Sequence, residues 1–238
     1  LVACTGVSKV VPVNNTVNGK ELPIYSVETE EKKVALSFDA AWGNEDTEKL
    51  IEILAKYNVK ATFFVVGEWV DKYPQSVKAL SDAGHEIMNH SDTHPHMPTL
   101  TREQMIKELS ECNNKIEKIT GTRPILFRAP YGDYDNTMLD TVKSIGMYTI
   151  QWDVDSLDWK DYTADAIFSR VTTRVQPGSI VLFHNAAKNT PEALPKIIEK
   201  LQKDGYNLVP ISKLIYKDNY KINHEGRQVK LTETQTDS

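Results

Sequence analysis

The sequence has 238 residues, of which 40% are hydrophobic and 26% charged, and its net charge is -5. This composition predicts a globular chain with enough apolar residues for one sizeable core. The acidic balance lacks the excess of lysine and arginine that a phosphate backbone requires, so nucleic acid is excluded as a partner. No apolar run approaches the ~20 residues that cross a bilayer, so we expect no membrane span.

The N-terminal segment, residues 1–22, is polar and has no apolar periodicity, which predicts an extended linker. Its first residues, Leu1-Val2-Ala3-Cys4, resemble the end of a bacterial lipoprotein signal, in which the cysteine carries the lipid. An arbitrary starting point of the sequence explains the same four residues, and both interpretations stay open. A protein secreted, or anchored at the cell surface through Cys4, is the expectation for localisation.

From residue 33 onward, β-rich apolar runs alternate with amphipathic helical patterns. The predicted strands cover residues 34–38, 61–66, 86–89, 125–127, 148–152, 179–183 and 207–210. The predicted helices cover residues 46–57, 74–83, 101–119, 135–145, 163–174 and 191–204. About seven strands alternating with helices predict an α/β fold with a parallel sheet, either a small closed barrel or an open doubly wound sheet.

Local signals set some boundaries of these elements. Thr101 and Gln104 have the spacing of a capping box, and Thr190 with Pro191 suits the N-cap and first position of a helix. The β-rich run 24–29 is predicted to form a hairpin with the first core strand. The polar segment 216–238 is predicted to be a C-terminal tail that forms one hairpin around residues 224–226.

Ionisable residues follow most of the predicted strands at the carboxyl end. In a parallel α/β barrel these ends converge on the face where chemistry takes place. A single aspartate there is explained by helix capping, but five loops carrying such groups indicate a metal-assisted acid–base site. Two histidines four residues apart can also converge on one divalent cation. The residues are Asp39, His90, His94, Arg128 to Tyr131, Asp153, Asp155, Asp158 and His184.

Five short runs, in this order, resemble the five motifs of the polysaccharide deacetylases, the NodB-homology enzymes of carbohydrate esterase family 4. They are Ser37-Phe38-Asp39, His90-Ser91-Asp92-Thr93-His94, Arg128-Ala129-Pro130-Tyr131-Gly132, Asp155-Ser156-Leu157-Asp158-Trp159 and Leu182-Phe183-His184. The resemblance implies a distorted (β/α)7 barrel in a catalytic domain over residues 23–215. It also implies removal of N-acetyl groups from chitin oligomers, peptidoglycan or a related glycan. The run 39–43 looks most like the branch from spore-forming Gram-positive bacteria.

The resemblance assigns the chemical roles to particular residues. His90 and His94 would hold a divalent metal, often zinc in this family, and Asp39 would take a proton from the attacking water. The backbone N–H of Tyr131 would bind the developing oxyanion, and His184 would protonate the leaving amine.

The remaining members of the motifs would support these groups. Arg128 would orient Asp39 and keep it ionised, while Asp158 would do the same for protonated His184. Trp159, Leu182 and Pro130 would contact the substrate, although core packing explains a tryptophan and a leucine equally well.

One position departs from the family pattern, because Ala40 stands where a second aspartate usually supplies the third metal ligand. The third position is left open between water, Asp39 and His96, and metal is expected to bind weakly. An alternative is therefore a non-catalytic glycan-binding relative with a degraded metal site. The Arg–Asp and Asp–His pairs favour the enzyme. A cofactor-binding α/β protein is disfavoured, since no Gly-rich phosphate loop follows the first strand.

Overall fold

The computed structural model describes residues 16–17 and 19–231. Cys4 and most of the predicted linker 1–22 lie outside the described residues, as does the end of the predicted tail. Within the described ranges no helix is long and apolar enough to cross a membrane. Residues 19–22 approach the domain through hydrogen bonds between the Asn136 side chain and the backbone of Gly19 and Glu21.

The chain alternates strands with helices, as the apolar pattern predicts. The strands are β1 (Thr16–Val17), β2 (Lys20–Glu21), β3 (Ser26–Val27), β4 (Lys33–Ala40), β5 (Thr62–Val65), β6 (Glu86–Asn89), β7 (Leu126–Phe127), β8 (Tyr148–Thr149), β9 (Val154–Asp155), β10 (Ile180–His184), β11 (Asn207–Leu208), β12 (Tyr220–Ile222) and β13 (Arg227–Lys230). The helices are α1 (Thr47–Lys56), α2 (Gly67–Lys72), α3 (Pro74–Asp82), α4 (Arg102–Thr120), α5 (Asn136–Ser144), α6 (Ala164–Thr172), α7 (Thr190–Lys203) and α8 (Ile211–Leu214). Three short 3₁₀ turns cover Met97–Thr99, Pro130–Gly132 and Asp158–Lys160.

The main sheet has the strand order β8-β7-β6-β5-β4-β10-β9, and β11 pairs with the start of β4. Every pairing in it is parallel. The sheet curls into a half-barrel of seven strands, which confirms the predicted distorted (β/α)7 architecture. Because all strands run the same way, their carboxyl ends meet at one end of the molecule.

Side chains of β4 alternate between two environments, as a strand requires. Val34, Leu36, Phe38 and Ala40 pack against the surrounding helices in the larger apolar cluster. Ala35 instead packs with interior residues of neighbouring strands, such as Phe64. The interior cluster lies toward the start of the strands. Further along β4 the inward positions are polar, with Ser37 and Asp39 following Ala35.

The predicted hairpin between residues 24–29 and the first core strand is wrong. Ile24 instead bridges to Ile150, and the N–H of Val27 donates to the carbonyl of Gly178. The segment thus lies between the residue that follows β8 and the residues that precede β10, and it packs into the interior cluster. An apolar β-rich run predicts a strand but does not name its partner, which is why the sequence pattern misplaced it.

Most predicted boundaries agree with the structure within two residues, and the capping box of Thr101 and Gln104 is present. The N-cap of α7 is Asn189, so the prediction of Thr190 is displaced by one residue. Several short elements were not predicted: the strands β1, β2 and β9 and the helices α2 and α8.

Residues 216–231, placed by the sequence in a polar tail, pack on the domain. The predicted hairpin forms from β12 and β13, and β13 pairs with β3. Gln228 is buried and exchanges hydrogen bonds with the backbone of Tyr216.

Candidate active site

Strand register places Asp39 and His184 side by side at the carboxyl end of the sheet. They are paired residues on the neighbouring parallel strands β4 and β10. Paired residues of adjacent strands project to the same face, about 5 Å apart along the hydrogen-bonding direction. The N–H of Asn185 donates to the carbonyl of Asp39 at 3.0 Å and continues this pairing past the end of β10.

Asp39 is held by a fully buried arginine. Arg128 Nη1 donates to Asp39 Oδ1 at 2.8 Å, while Nη2 donates to Ser37 Oγ at 2.8 Å and to the carbonyl of Gln151 at 3.2 Å. The guanidinium carbon also lies 4.2 Å from the ring centre of Phe64 below it. Burial by itself raises the pKa of Asp39, but the Arg128 charge and hydrogen bond outweigh it and lower the pKa below its ordinary value. Asp39 is therefore an ionised carboxylate.

His184 is held by a second buried carboxylate. Its Nδ1 donates to Asp158 Oδ1 at 2.8 Å, and its backbone N–H donates to Oδ2 of the same residue. Thr190 Oγ1 also donates to Asp158 Oδ2, at 2.7 Å. Burial lowers the pKa of His184, but the hydrogen bond and charge of Asp158 outweigh it and raise the pKa above its ordinary value. With Nδ1 fixed on Asp158, Nε2 is the nitrogen that can exchange a proton with a substrate.

The two histidines of the predicted metal site lie on the other side of Asp39. Their ring centres are 5.1 Å apart, and His90 Nε2 is 3.6 Å from Asp39 Oδ2. His90 Nδ1 lies 2.7 Å from the carbonyl of Arg128; it must be the donor, so Nε2 carries a lone pair. Burial lowers the pKa of His90, and burial together with His90 lowers the pKa of His94 to about 4. Both rings are neutral, which is the form that binds a metal.

His90 and His94 can each offer one ring nitrogen to a cation that prefers imidazole ligands, so the chain supplies two ligands there. No group of three or more His, Cys, Asp or Glu side chains in residues 19–231 is arranged to hold a metal ion. Ala40 is 1% exposed and packs in the helix-facing cluster, where its methyl group has no ligating atom. His96, the last of the open candidates for a third ligand, has its Nδ1 on Asp133 Oδ2 at 2.5 Å.

The loop that carries His90 and His94 is braced by helix α4. Glu108 accepts hydrogen bonds from the N–H groups of Asp92 and Thr93 and from the Thr93 hydroxyl, at 2.8–2.9 Å. Lys115 bridges Asp92 and Asp71 at 2.6 and 2.7 Å. These contacts fix a loop in which both Ser91 and His94 have positive φ, of 68° and 60°.

Backbone strain is concentrated at this end of the molecule. Among the described residues, eight that are not glycine have positive φ, and two of them lie elsewhere, Asn58 after α1 and Asn219 before β12. The others all lie in loops that follow β6, β7, β9 and β10. Such conformations persist where surrounding contacts hold them, and they cluster at functional sites. They are Ser91, His94, Tyr131, Leu157, Asp161 and Ala186.

Exposed aromatic rings surround the cleft. The four large hydrophobic residues that are exposed within residues 19–231 all follow strands at this end. The ring centre of Trp42 lies 6.0 Å from His94 and 6.4 Å from His184, and that of Tyr131 lies 4.7 Å from His94. A cluster of exposed apolar rings of this kind marks a binding surface. The four residues are Trp42, Tyr131, Trp159 and Tyr162.

The predicted substrate-binding residues divide into two kinds. Trp159 is exposed and available to a ligand, whereas Leu182 and Pro130 are buried. Leu182 lies two residues before His184 on β10, so it faces the same side of the sheet. The roles of these residues stay predictions, but the structure brings Asp39, Arg128, Asp158, His184 and the two metal-site histidines to one end of the barrel.

Sequence reasoning missed several residues that shape the cleft. Trp42 is a lone tryptophan in a polar loop, which is the signal that could have singled it out. Asn185 and Glu108 could not have been found in this way, since their contacts are with loops far away in the sequence. The Asn185 amide donates to the carbonyl of Gly43, as does Trp69 Nε1 at 3.0 Å, and these bonds hold the loop that carries Trp42.

Comparison with known proteins assigns the family. A family model described as polysaccharide deacetylase matches residues 26–150. The chain belongs to the polysaccharide deacetylase family. The peptidoglycan-N-acetylmuramic acid deacetylase PdaA of Bacillus subtilis is 35% identical over 202 residues, which cover 83% of this chain and 77% of PdaA. These matches confirm the predicted resemblance and its Bacillus-like branch.

Two further relatives are similar over most of this chain, and one of them is described as a pseudoenzyme. The uncharacterised protein YlxY of Bacillus subtilis is 35% identical over 193 residues, 81% of this chain, and the chain spans only 60% of YlxY. Among solved structures, wild-type BA3943 of Bacillus anthracis, described as a CE4 family pseudoenzyme, superposes with a TM-score of 0.79 at 38% identity. That match covers 82% of this chain and 69% of BA3943. A BA3943 mutant described as having restored enzymatic activity matches at 39% identity with a TM-score of 0.78, over 82% of this chain and 71% of that one.

Proposed function

We propose that this chain hydrolyses N-acetyl groups of peptidoglycan, releasing acetate and leaving a free amine on the sugar. One observation carries the proposal: an ionised Asp39 and a His184 with a raised pKa stand on paired positions of adjacent strands, each hydrogen-bonded to its own buried partner. A general base and a general acid fixed side by side suit the hydrolysis of an amide. The peptidoglycan substrate rests on the likeness to PdaA.

The first step uses Asp39 as the base. Water attacks the carbonyl carbon of the acetamide, a C–O bond forms, and one proton of the water passes to the Asp39 carboxylate. The Arg128 guanidinium keeps that carboxylate ionised and oriented before the attack. A divalent cation held by His90 and His94, with zinc suited to imidazole, would polarise the carbonyl and ease ionisation of the water.

Negative charge that develops on the acetamide oxygen needs a donor. Within the described part of the chain the N–H of Tyr131 has no hydrogen-bond acceptor, so it is free to donate to that oxygen. It lies in a 3₁₀ turn whose neighbouring N–H groups, of Gly132 and Asp133, are already bonded. A preorganised donor of this kind is worth about 10²–10³ in rate.

The second step uses His184 as the acid. The C–N bond breaks, and protonated His184 gives its Nε2 proton to the departing nitrogen, since an amine leaves poorly as an anion. Asp158 stabilises the imidazolium until that moment, through the 2.8 Å bond to Nδ1. The products are a neutral amine and acetic acid, which ionises to acetate, and the proton held by Asp39 passes through solvent to His184, so both groups regain their starting forms.

The exposed rings around the cleft suit a sugar ring, because the C–H face of a pyranose stacks on an aromatic face. Trp42 lies between His94 and His184 and is therefore proposed to stack on the sugar that carries the acetamide. Trp159, on the 3₁₀ turn that begins at Asp158, would bind the next part of the glycan.

The location of the protein follows from its proposed substrate. Peptidoglycan lies outside the cytoplasmic membrane, so we propose an extracytoplasmic protein, either secreted or tethered through Cys4. Mass spectrometry of the mature N-terminus of the native product tests the tether, and an unlipidated N-terminus elsewhere than Cys4 would remove it.

A second candidate function is non-catalytic glycan binding. It is favoured by Ala40, by the lack of a three-residue ligand set within residues 19–231, and by the likeness to BA3943. Zinc-loaded protein separates the two functions in an acetate-release assay on peptidoglycan and on chitin tetraose. Acetate release that requires both zinc and Asp39 supports the enzyme, whereas saturable glycan binding with no acetate supports the binder.

A further inference from the structure

Tyr131 is in a conformation that its own burial cannot explain. Its φ is +61°, in the left-handed region that costs energy for a residue with a Cβ. The side chain is 59% exposed, so core packing does not hold it. Gly132 follows with φ +72°, and its N–H donates to the carbonyl of Ala129. This bond fixes the turn after Tyr131, but it does not touch the tyrosine ring.

The contact that restrains the ring comes from another loop. The rings of His96 and Tyr131 are stacked, with centres 4.0 Å apart and planes 14° from parallel. His94 meets the same ring edge-on at 4.7 Å and 71°. The tyrosine is thus held between two histidines of the loop that follows β6, although Tyr131 itself belongs to the loop that follows β7.

His96 is fixed in turn by Asp133. His96 Nδ1 donates to Asp133 Oδ2 at 2.5 Å, and Asp133 lies two residues after Tyr131. The carbonyl of His96 accepts from both the N–H and the hydroxyl of Thr99, which anchors the backbone of the histidine in the Met97–Thr99 turn. His96 and Asp133 are about half exposed, so their ion pair contributes little stability. Its main effect is to fix the orientation of the His96 ring.

We propose that His96, oriented by Asp133, is a positioning residue that clamps the Tyr131 ring and thereby fixes the Tyr131 N–H for the oxyanion. The inference rests on the proposed function, because it deepens the role of that N–H. With the ring released, the backbone of Tyr131 would relax from its strained φ, and the N–H would turn away from the acetamide oxygen. Neither His96 nor Asp133 belongs to the run 128–132 that carries Tyr131. His96 lies just after the run 90–94, and Asp133 lies just after the run 128–132.

A role of His96 as third metal ligand is a different explanation of the same residue. In the structure His96 Nδ1 bonds Asp133 and the ring stacks on Tyr131, so only Nε2 is left for a metal. The two roles also predict different variants: a phenyl ring can replace a stacking imidazole, but it cannot replace a ligand.

The test compares His96→Ala, His96→Phe and Asp133→Asn with the wild-type chain, and uses His224→Ala as a matched control in an exposed turn. Acetate release from peptidoglycan gives kcat and KM, and mass spectrometry gives the zinc content. We expect His96→Ala to lower kcat about tenfold with KM unchanged, a part of the value of a lost oxyanion donor. His96→Phe should restore most of the rate, and Asp133→Asn should fall between them with wild-type zinc content.

A second readout needs no activity. In protein labelled with ¹⁵N-tyrosine, the heteronuclear NOE of the Tyr131 amide should fall in His96→Ala and stay unchanged in His96→Phe and His224→Ala. If the wild-type chain releases no acetate, the proposed function fails, while the NOE still decides the clamp. A rigid Tyr131 amide in His96→Ala, or a loss of zinc that His96→Phe does not restore, would overturn the clamp.

Discussion

The two halves of the cleft differ in how completely the chain itself supplies their parts. On the acid–base half, Asp39 is paired with Arg128 and His184 with Asp158, and both partners are fully buried. On the metal half, His90 and His94 are neutral and held in place, but Ala40 offers no third ligand.

Each half of the cleft carries an energetic cost for the folded protein. A buried ion pair is destabilising unless its geometry is good, so the Asp39–Arg128 pair is hard to explain as packing alone. The histidine loop likewise holds two non-glycine residues at positive φ, braced by Glu108. We infer that the acid–base half is intact for catalysis, whereas the metal half is built to hold a cation less tightly than three protein ligands would.

The largest effect is expected from Asp39→Asn, which breaks the acid–base half. Acetate release should fall about 10³-fold because the general base is lost. Stability should also fall by about 3 kcal/mol, because the buried Arg128 charge loses its counter-ion. Kinetics and thermal denaturation measure both effects.

The same substitution in an exposed ion pair provides the control for Asp39→Asn. Asp165 pairs with Lys196 at the surface, so Asp165→Asn should change stability by less than about 0.5 kcal/mol and leave activity unchanged. An Asp39→Asn protein with near wild-type acetate release would show that Asp39 is not the base.

The next largest effect is expected from Asp158→Asn, which should change the pH dependence of activity. His184 must be protonated to act as the acid, so wild-type activity should be lost as pH rises through its raised pKa. Without the Asp158 charge, less opposes the effect of burial, so the His184 pKa should fall and the alkaline limb should move to lower pH. Near neutral pH we expect about a 10²-fold loss of kcat/KM.

Stability should follow the same titration. The bond between His184 and Asp158 stabilises the fold fully below the unfolded histidine pKa, near ~6.5, and this contribution is lost as pH rises through the folded pKa. Asp155→Asn, in the same loop, is the control that should move the alkaline limb only slightly. An unmoved limb in Asp158→Asn would remove His184 from the role of acid.

Ala40→Asp sharpens the metal half. Where the end of β4 lets the new side chain turn from the helix-facing cluster toward His90 and His94, the carboxylate adds both a bond and a negative charge, and zinc should bind at least about tenfold more tightly by calorimetry. Ala41→Asp places the same charge one residue along and should not tighten binding. If Ala40→Asp binds zinc no better than the wild-type chain, the third ligand comes from elsewhere and the room around Ala40 belongs to the helix-facing cluster.

The smallest effect is expected from the aromatic rim. Trp42→Ala should raise KM for chitin tetraose about fivefold with little change in kcat, since one stacking face is lost. Trp42→Phe should keep most of the affinity. Tyr162→Ala, which removes another exposed ring at the same end, is the control. Equal effects of the two alanine variants would contradict a particular role for Trp42 between His94 and His184.

Much of the fold could be predicted because strand and helix periods are local. Parallel strands share one carboxyl end, so the strand pattern alone was enough to place Asp39, His90 and His184 on one face. The partner of residues 24–29 could not be predicted, since an apolar run does not specify the strand that it meets.

Prediction of the site failed where contacts join separate loops. His96 was a candidate ligand by residue type, yet its orientation depends on Asp133, 37 residues later. The brace from Glu108 and the bond from Asn185 to Gly43 are likewise long-range. Residue type and spacing indicate which groups can do chemistry, while the packing of loops decides which of them face each other.

The most direct test of the proposed hydrolysis is acetate release from peptidoglycan by the wild-type chain, first stripped with a chelator and then titrated with zinc. We predict no acetate from the stripped protein, and release that rises with zinc and saturates at higher metal than a three-ligand site would need. We also predict that Asp39→Asn stays inactive at every zinc concentration. Zinc-saturated wild-type protein that binds the glycan but releases no acetate would contradict the central claim and identify a glycan-binding protein.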